Sequence, residues 1–184
     1  MGSEKIILDI PYYSQYLDVD DPQWKARSCG IVCLKMVMDY YKPDNRKIID
    51  LVNEGVAKGG YCQYGWIHNV LVKMANERGL MASRKEYKSQ DDKERKKLER
   101  AAIKEITSCL KDNQPVIVSA VRNFSETDKF HLVVLTGFEK KGRGIGGFYY
   151  NDPDSQSREE GKNKFVPIDV FKKHWRKMAI YVKE

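Results

Sequence analysis

The segment Ser28-Cys29-Gly30-Ile31-Val32-Cys33-Leu34-Lys35-Met36-Val37-Met38-Asp39-Tyr40-Tyr41 constrains the fold more than any other. Its apolar residues leave almost no polar face, so a helix here must be wrapped by protein on most sides. Only Lys35 and Asp39, four residues apart, offer a strip for solvent. Ser28 is a favourable N-cap, which sets Cys29 at the first helical position, and Pro43 predicts a stop near Tyr41 or Lys42. A thiol at that position lies in the positive end of the helix dipole, where the thiolate is favoured.

A chain of 184 residues is long enough to bury a real core and short for two domains, so one domain is expected. No apolar run approaches the roughly 18 residues a membrane helix needs, so no span is expected. The N-terminus lacks an export signal, which points to a cytoplasmic protein. Met1-Gly2-Ser3 also reads as a possible vector-derived start, and Ile6 stands where a myristoylation signal has Ser or Thr. The net charge of +7 is spread among interspersed charges of both signs. It reads as a mixed solvated surface, and no nucleic-acid partner is expected. Cys29, Cys33, Cys62 and Cys109 are too few and scattered for a disulfide framework. A zinc site from the first three with His68 has no compact ligand pair, so no metal or cofactor is expected.

Along the chain, Ile6 to Ile10 reads as a strand stopped by Pro11, with Tyr16 to Arg27 a loop leading to Ser28. A second helix capped by Asp44 or Asn45 buries Ile48, Ile49, Leu51, Val52 and Val56 and breaks at Gly59-Gly60. A third spans Gly65 to Arg78 and ends at Gly79. Leu80 to Lys85 reads as a strand. Between Lys85 and Asp112, nine basic and seven acidic residues surround Leu98, Ala102, Ile106 and Cys109 or Leu110, the pattern of a long amphipathic helix. Pro115 to Val121 reads as a buried strand. His131 to Phe138 and Gly147 to Asn151 read as paired strands around a glycine-rich turn. A last helix is expected from Val166 to Trp175, with a closing strand from Met178 to Val182. Helices in the first half and antiparallel strands in the second define an α+β fold, with N-terminal helices packed on a C-terminal antiparallel sheet.

A reactive cysteine needs a base, a group to orient that base, and donors for the oxyanion formed on a carbonyl. Of the three histidines, His68 lies in an amphipathic helix and His174 in a basic stretch that reads as solvent-exposed. His131 opens a strand, where a sheet end can present imidazole to a cleft. Asp152, in Asn151-Asp152-Pro153-Asp154, can accept the His131 Nδ1 proton, or can simply be a turn aspartate before proline. A hairpin centred on Gly144 sets the two out of register, so pairing them calls for an asymmetric or bulged loop.

These residues also carry a resemblance. Ile10-Pro11-Tyr12-Tyr13-Ser14-Gln15, Trp24, Cys29-Gly30 with the apolar helix, His131-Leu132-Val133-Val134-Leu135-Thr136-Gly137-Phe138 and Asn151-Asp152-Pro153 resemble the papain-like peptidases related to the bacteriocin double-glycine leader peptidases. The resemblance covers Ile6 to Val182, least in the charged segment near Lys85 to Arg100. It implies a papain-like cysteine peptidase fold, a triad of Cys29, His131 and Asp152, a glutamine in the oxyanion hole, and a peptide or protein substrate. Gln15 matches the Pro-Tyr-Tyr-Ser-Gln context of stand-alone members. Gln23, six residues before Cys29, matches the spacing of the leader-peptidase and papain branches and is the runner-up. Two alternatives accompany this reading: a phytochelatin-synthase-like transferase, and a non-catalytic peptide-binding module that keeps the fold. Neither the substrate sequence nor the oligomeric state is legible in the chain.

Overall fold

The structure, a computed structural model, describes residues 4–126 and 129–184. The reading of Met1-Gly2-Ser3 lies outside those residues. In chain order the elements are β1 Lys5–Ile7, α1 Cys29–Tyr41, α2 Ile48–Ala57, β2 Tyr61–Cys62, β3 Gly65–Trp66, α3 His68–Asn76, β4 Met81–Glu86 and α4 Asp92–Lys111. There follow β5 Val116–Val121, a short 3₁₀ turn, β6 Phe130–Lys141, β7 Gly144–Asn151, α5 Arg158–Gly161, β8 Lys164–Pro167, α6 Ile168–His174 and β9 Trp175–Lys183. One seven-stranded antiparallel sheet runs β4-β9-β5-β6-β7-β8, and β1 pairs with the far half of β6. The arrangement is α+β, with α1 packed on β6 and on α2 and α3.

Helix α1 starts at Cys29 and ends at Tyr41, as its sequence pattern requires, and Ile31, Val32, Cys33, Leu34, Met36 and Val37 are fully buried. Two expectations fail there. Ser28 precedes the helix, but its buried hydroxyl makes no capping bond. Lys35 and Asp39 form no solvated strip: they are 3% and 6% exposed, and the Lys35 ammonium is 2.8 Å from Asp39 and 2.7 Å from Asp44. Tyr13 donates to the other Asp39 oxygen at 2.8 Å. An unpaired ammonium at this depth would be destabilising by several kcal/mol, so Lys35 draws Asp44 inward to complete its shell. That use of Asp44 removes it as a cap, and α2 starts later, at Ile48. Val56 faces solvent at 41% exposure, a second departure on that helix.

The third helix is shorter than expected. Gly65 has φ +105°, outside helical space, and Trp66 pairs with Tyr61 in the β2–β3 hairpin, so α3 begins only at His68. The Trp66 ring fills the gap between α1 and α2. A Cβ on Gly30 would meet its Cγ at 2.9 Å, and one on Gly55 would meet its Cζ3 at 2.7 Å, so both helices need glycine there. Its indole N–H donates to the Arg27 carbonyl at 2.7 Å and pins the chain two residues before Cys29.

In the second half, β6 and β7 extend to a tight turn at Gly142, whose φ is +61°. The final helix is confined to Ile168–His174, because Phe165 and Val166 join the sheet opposite Tyr149 and Phe148. His174, expected at the surface, is 9% exposed. Among the described residues no helix is long and apolar enough to cross a membrane.

Candidate functional site

Two chain segments converge on the N-terminus of α1. The first is the extended run Tyr12 to Gln15, laid along the loop that follows β7. Tyr12 Oη donates to the Asp152 carbonyl at 2.8 Å, Gln15 N–H to the Pro153 carbonyl at 2.8 Å, and Ser14 Oγ to the Ser155 carbonyl at 2.5 Å. Gly161 makes this seam possible, since a Cβ there would stand 1.8 Å from Tyr12 Oη. The second is β6, an interior strand whose N-terminal end carries His131 to the same place. The Cys33 thiol, one turn inside α1, donates to the Leu132 carbonyl at 3.2 Å and locks helix to strand.

His131 Nε2–H donates to Asp152 Oδ1 at 2.9 Å, and both side chains are buried. The expected bulges exist, between Leu135 and Gly137 and between Glu139 and Lys140, but they fall on opposite strands and cancel. Continued past Val134 and Asn151, the register still sets Asp152 two residues away from His131 on the same face. That diagonal is within reach of a long side chain. Distance also selects the nitrogen: Asp152 is met by the far Nε2 and not, as expected from sequence, by Nδ1. Nδ1 makes no bond to Asp152 and is the ring nitrogen left for Cys29, which lines the same cavity as His131.

Asp152 combines the turn role with a contact to His131, the latter through Nε2. Its Oδ1 accepts the Asp154 N–H at 3.0 Å, an Asx turn, while also accepting from His131. Its Oδ2 accepts from Lys164 at 3.0 Å. Burial opposes its charge, but His131 and Lys164 outweigh burial and hold the carboxyl well below the usual range. Burial also opposes the imidazolium, yet the bonds to Asp152 and Cys29 push His131 well above its ordinary value. For Cys29, burial again works against the charged form. The hydrogen bond and charge of His131, with backbone bonds involving Leu132 and Gly30, bring the thiol below the usual range. Cys33 behaves oppositely: burial, then the charges of Cys29 and Asp152, raise it well above the ordinary value, so it stays a neutral packing thiol.

Cys29 and His131 open onto a cavity of about 360 Å³, whose walls include Gln15, Tyr16, Arg122 and Asp154. Gln15 is 2% exposed, and its Nε2 donates to Asp154 Oδ1 at 2.6 Å. Gln23 lies on an exposed turn, with its N–H on the Asp21 carboxylate at 2.8 Å, and is not among the lining residues. Neither His68 nor His174 reaches the cavity. Burial and nearby Arg84 and Arg176 lower His68 to about 4, which suits a neutral packing imidazole. Sequence reasoning missed Lys164, Arg122, Tyr16 and Asp154. Only Asp154 had a local signal, its place in the Asn-Asp-Pro-Asp turn.

The mirrored gradient of the two pKa values has a direct readout. The two shifts, Cys29 lowered and His131 raised, both favour a thiolate–imidazolium pair. Iodoacetamide alkylation of Cys29 is therefore expected to rise with pH at a midpoint below the free-thiol value of about 8.5. In His131→Ala the midpoint should return to or above that value, read by intact mass over a pH series.

A cysteine on a helix N-terminus beside a histidine at the end of an interior strand of an antiparallel sheet fits the papain-like peptidase architecture. The chain belongs to the Peptidase_C39-like family, which it matches over residues 7–181. Solved structures share the fold. A Bacillus anthracis protein described as a C39-like peptidase superposes with TM-score 0.66 at 21% identity, covering 98% of each chain. A double-glycine-motif protease from an AMS/PCAT transporter, solved with the leader peptide, gives 0.58 at 20% identity over 96% of this chain and 93% of its own. The peptidase domain of Streptococcus ComA, a bifunctional ABC transporter of a quorum-sensing pathway, gives 0.56 at 17% identity over 97% of each. No curated protein matches the chain.

Proposed function

We propose that the chain is a single-domain cysteine peptidase that cleaves peptide bonds through a thioester on Cys29, with His131 and Asp152 completing a triad. The observation that carries this reading is the buried Asp152–His131 hydrogen bond, with His131 and Cys29 together on the wall of one open cavity. The Cys29 thiolate attacks the scissile carbonyl carbon, and the carbonyl π electrons move onto oxygen. That oxyanion is met by the Cys29 N–H, which as one of the first four of its helix has no carbonyl partner within it, and by Gln15. His131 then gives its Nδ1 proton to the leaving amine as the C–N bond breaks. Water, deprotonated by the same nitrogen, displaces the thiolate and frees the acid. Asp152 stays ionised throughout and holds the ring by Nε2.

Family membership and the leader peptide held by a structural neighbour make an extended peptide with a double-glycine motif the first substrate to try. With such a peptide, Gln15→Ala is expected to lower kcat by roughly 10²–10³, the effect of one hole donor, with KM little changed. Gln23→Ala is expected to match the wild type. Loss in Gln23→Ala with full activity in Gln15→Ala would reverse the assignment.

A further inference from the structure

The amide of Gln15 can serve an oxyanion only if its NH₂ end, not its carbonyl, faces the cavity, and nothing intrinsic to glutamine decides between the two. The decision lies in a carboxylate outside the triad. Asp154 is almost fully enclosed, its side chain 5% exposed. Its Oδ1 accepts from Gln15 Nε2 at 2.6 Å and from Tyr16 Oη at 2.8 Å, and its Oδ2 pairs with Arg122. An ionised carboxylate only accepts, so it admits the nitrogen end of the Gln15 amide and rejects the oxygen. Gln15 Oε1 is correspondingly buried with no hydrogen-bond partner among the described residues. One hydrogen of Nε2 is spent on Asp154, which leaves the second for a further acceptor, and Gln15 lines the cavity.

Resting on the reading of Gln15 as the hole donor, we infer that Asp154 is a positioning residue that sets the orientation of the Gln15 amide. Its backbone N–H separately supports Asp152 Oδ1, so a side-chain change leaves that bond in place. Asp154→Asn is the informative substitution. Arg122 offers only donors, so the new carboxamide turns its oxygen to Arg122 and its NH₂ to Gln15. Gln15 must then turn its own oxygen toward position 154 and carry its NH₂ away.

Two reactions of Cys29 separate this role from general damage. Acylation by p-nitrophenyl acetate passes through an oxyanion: the thiolate attacks the ester carbonyl and p-nitrophenolate leaves. Alkylation by iodoacetamide is a direct displacement of iodide by the same thiolate and forms no oxyanion. In Asp154→Asn, acylation is expected to fall by roughly tenfold or more, toward the Gln15→Ala rate, while the alkylation rate and its pH midpoint stay at wild-type values. The double variant with Gln15→Ala should be no slower than Gln15→Ala alone, since both changes remove one interaction. Equal slowing of both reactions, or a double variant with the two losses added, would overturn the inference in favour of a structural role. If Asp154→Asn does not fold, Arg122→Leu releases Oδ2 alone. It should lower acylation severalfold with alkylation unchanged, and an unchanged acylation rate would again overturn the inference. A wild-type protein that alkylates but is not acylated would instead sink the acyl-enzyme reading itself.

Discussion

Cys29→Ala is expected to abolish peptide hydrolysis, with a fall of roughly 10⁵–10⁶ in kcat, the scale seen when a nucleophile acting as part of a unit is removed. Little else in the molecule should notice. The change deletes one sulfur from a partly exposed position at the edge of the core. Helix α1 is held by Ile31, Val32, Leu34, Met36 and Val37, all fully buried, and by the Cys33 bond to Leu132. The melting temperature should therefore stay within a few degrees and the circular dichroism spectrum unchanged. Cys33→Ala makes the contrast. It should cost stability through a core cavity while leaving an alkylatable Cys29, so the two cysteines of one helix separate by function.

Asp152→Asn is expected to lose roughly 10³–10⁴ in kcat with KM nearly constant, because it removes the charge that favours imidazolium and turns a donor against Lys164. The loss here has an identifiable geometry. Asp152 Oδ1 accepts from both His131 and the Asp154 N–H, so an asparagine must keep its oxygen there and turn its NH₂ toward Lys164. A donor then faces an ammonium that was 3.0 Å from the lost oxygen. With Asp152 ionised, stabilisation of His131 as a cation raises that group's value, so its loss should lower the upper pH limit of activity. The Cys29 alkylation midpoint should rise in the same variant, since a neutral ring no longer supports the thiolate. An activity profile whose upper limit stays in place would show that Asp152 does not act through His131.

What was legible in the sequence followed the range of the interactions. Helix α1, its end near Pro43 and the strand runs around Val116 to Val121 and His131 to Phe138 are set by local pattern, and they formed as expected. The three candidates were nominated because the chain has only four cysteines and three histidines and a family resemblance added the aspartate, and the structure brings the three together. Lys35 and Asp39 misled, since an i, i+4 ion pair looks the same on a wet face as beside a recruited Asp44. The β2–β3 hairpin was hidden because Trp66 fits a helical stripe, and only its tertiary bond to Arg27 explains its place. The groups around the site were invisible for a related reason. Arg122, Tyr16 and Asp154 meet across more than 100 residues from the N-terminal segment, and a lone arginine or tyrosine carries no sign of such a contact. The choice of Nε2 over Nδ1 depended on a diagonal across two strands that no spacing rule reports.

The central claim is a covalent thioester on Cys29, and acid-quenched intact mass tests it most directly. The wild-type protein is mixed with a peptide carrying a double-glycine motif, stopped within the first turnover and weighed. The account predicts an added mass equal to the N-terminal fragment less one water, located on Cys29, discharged by hydroxylamine and absent in Cys29→Ala. Cleavage of the same peptide by Cys29→Ala at the wild-type rate would contradict it.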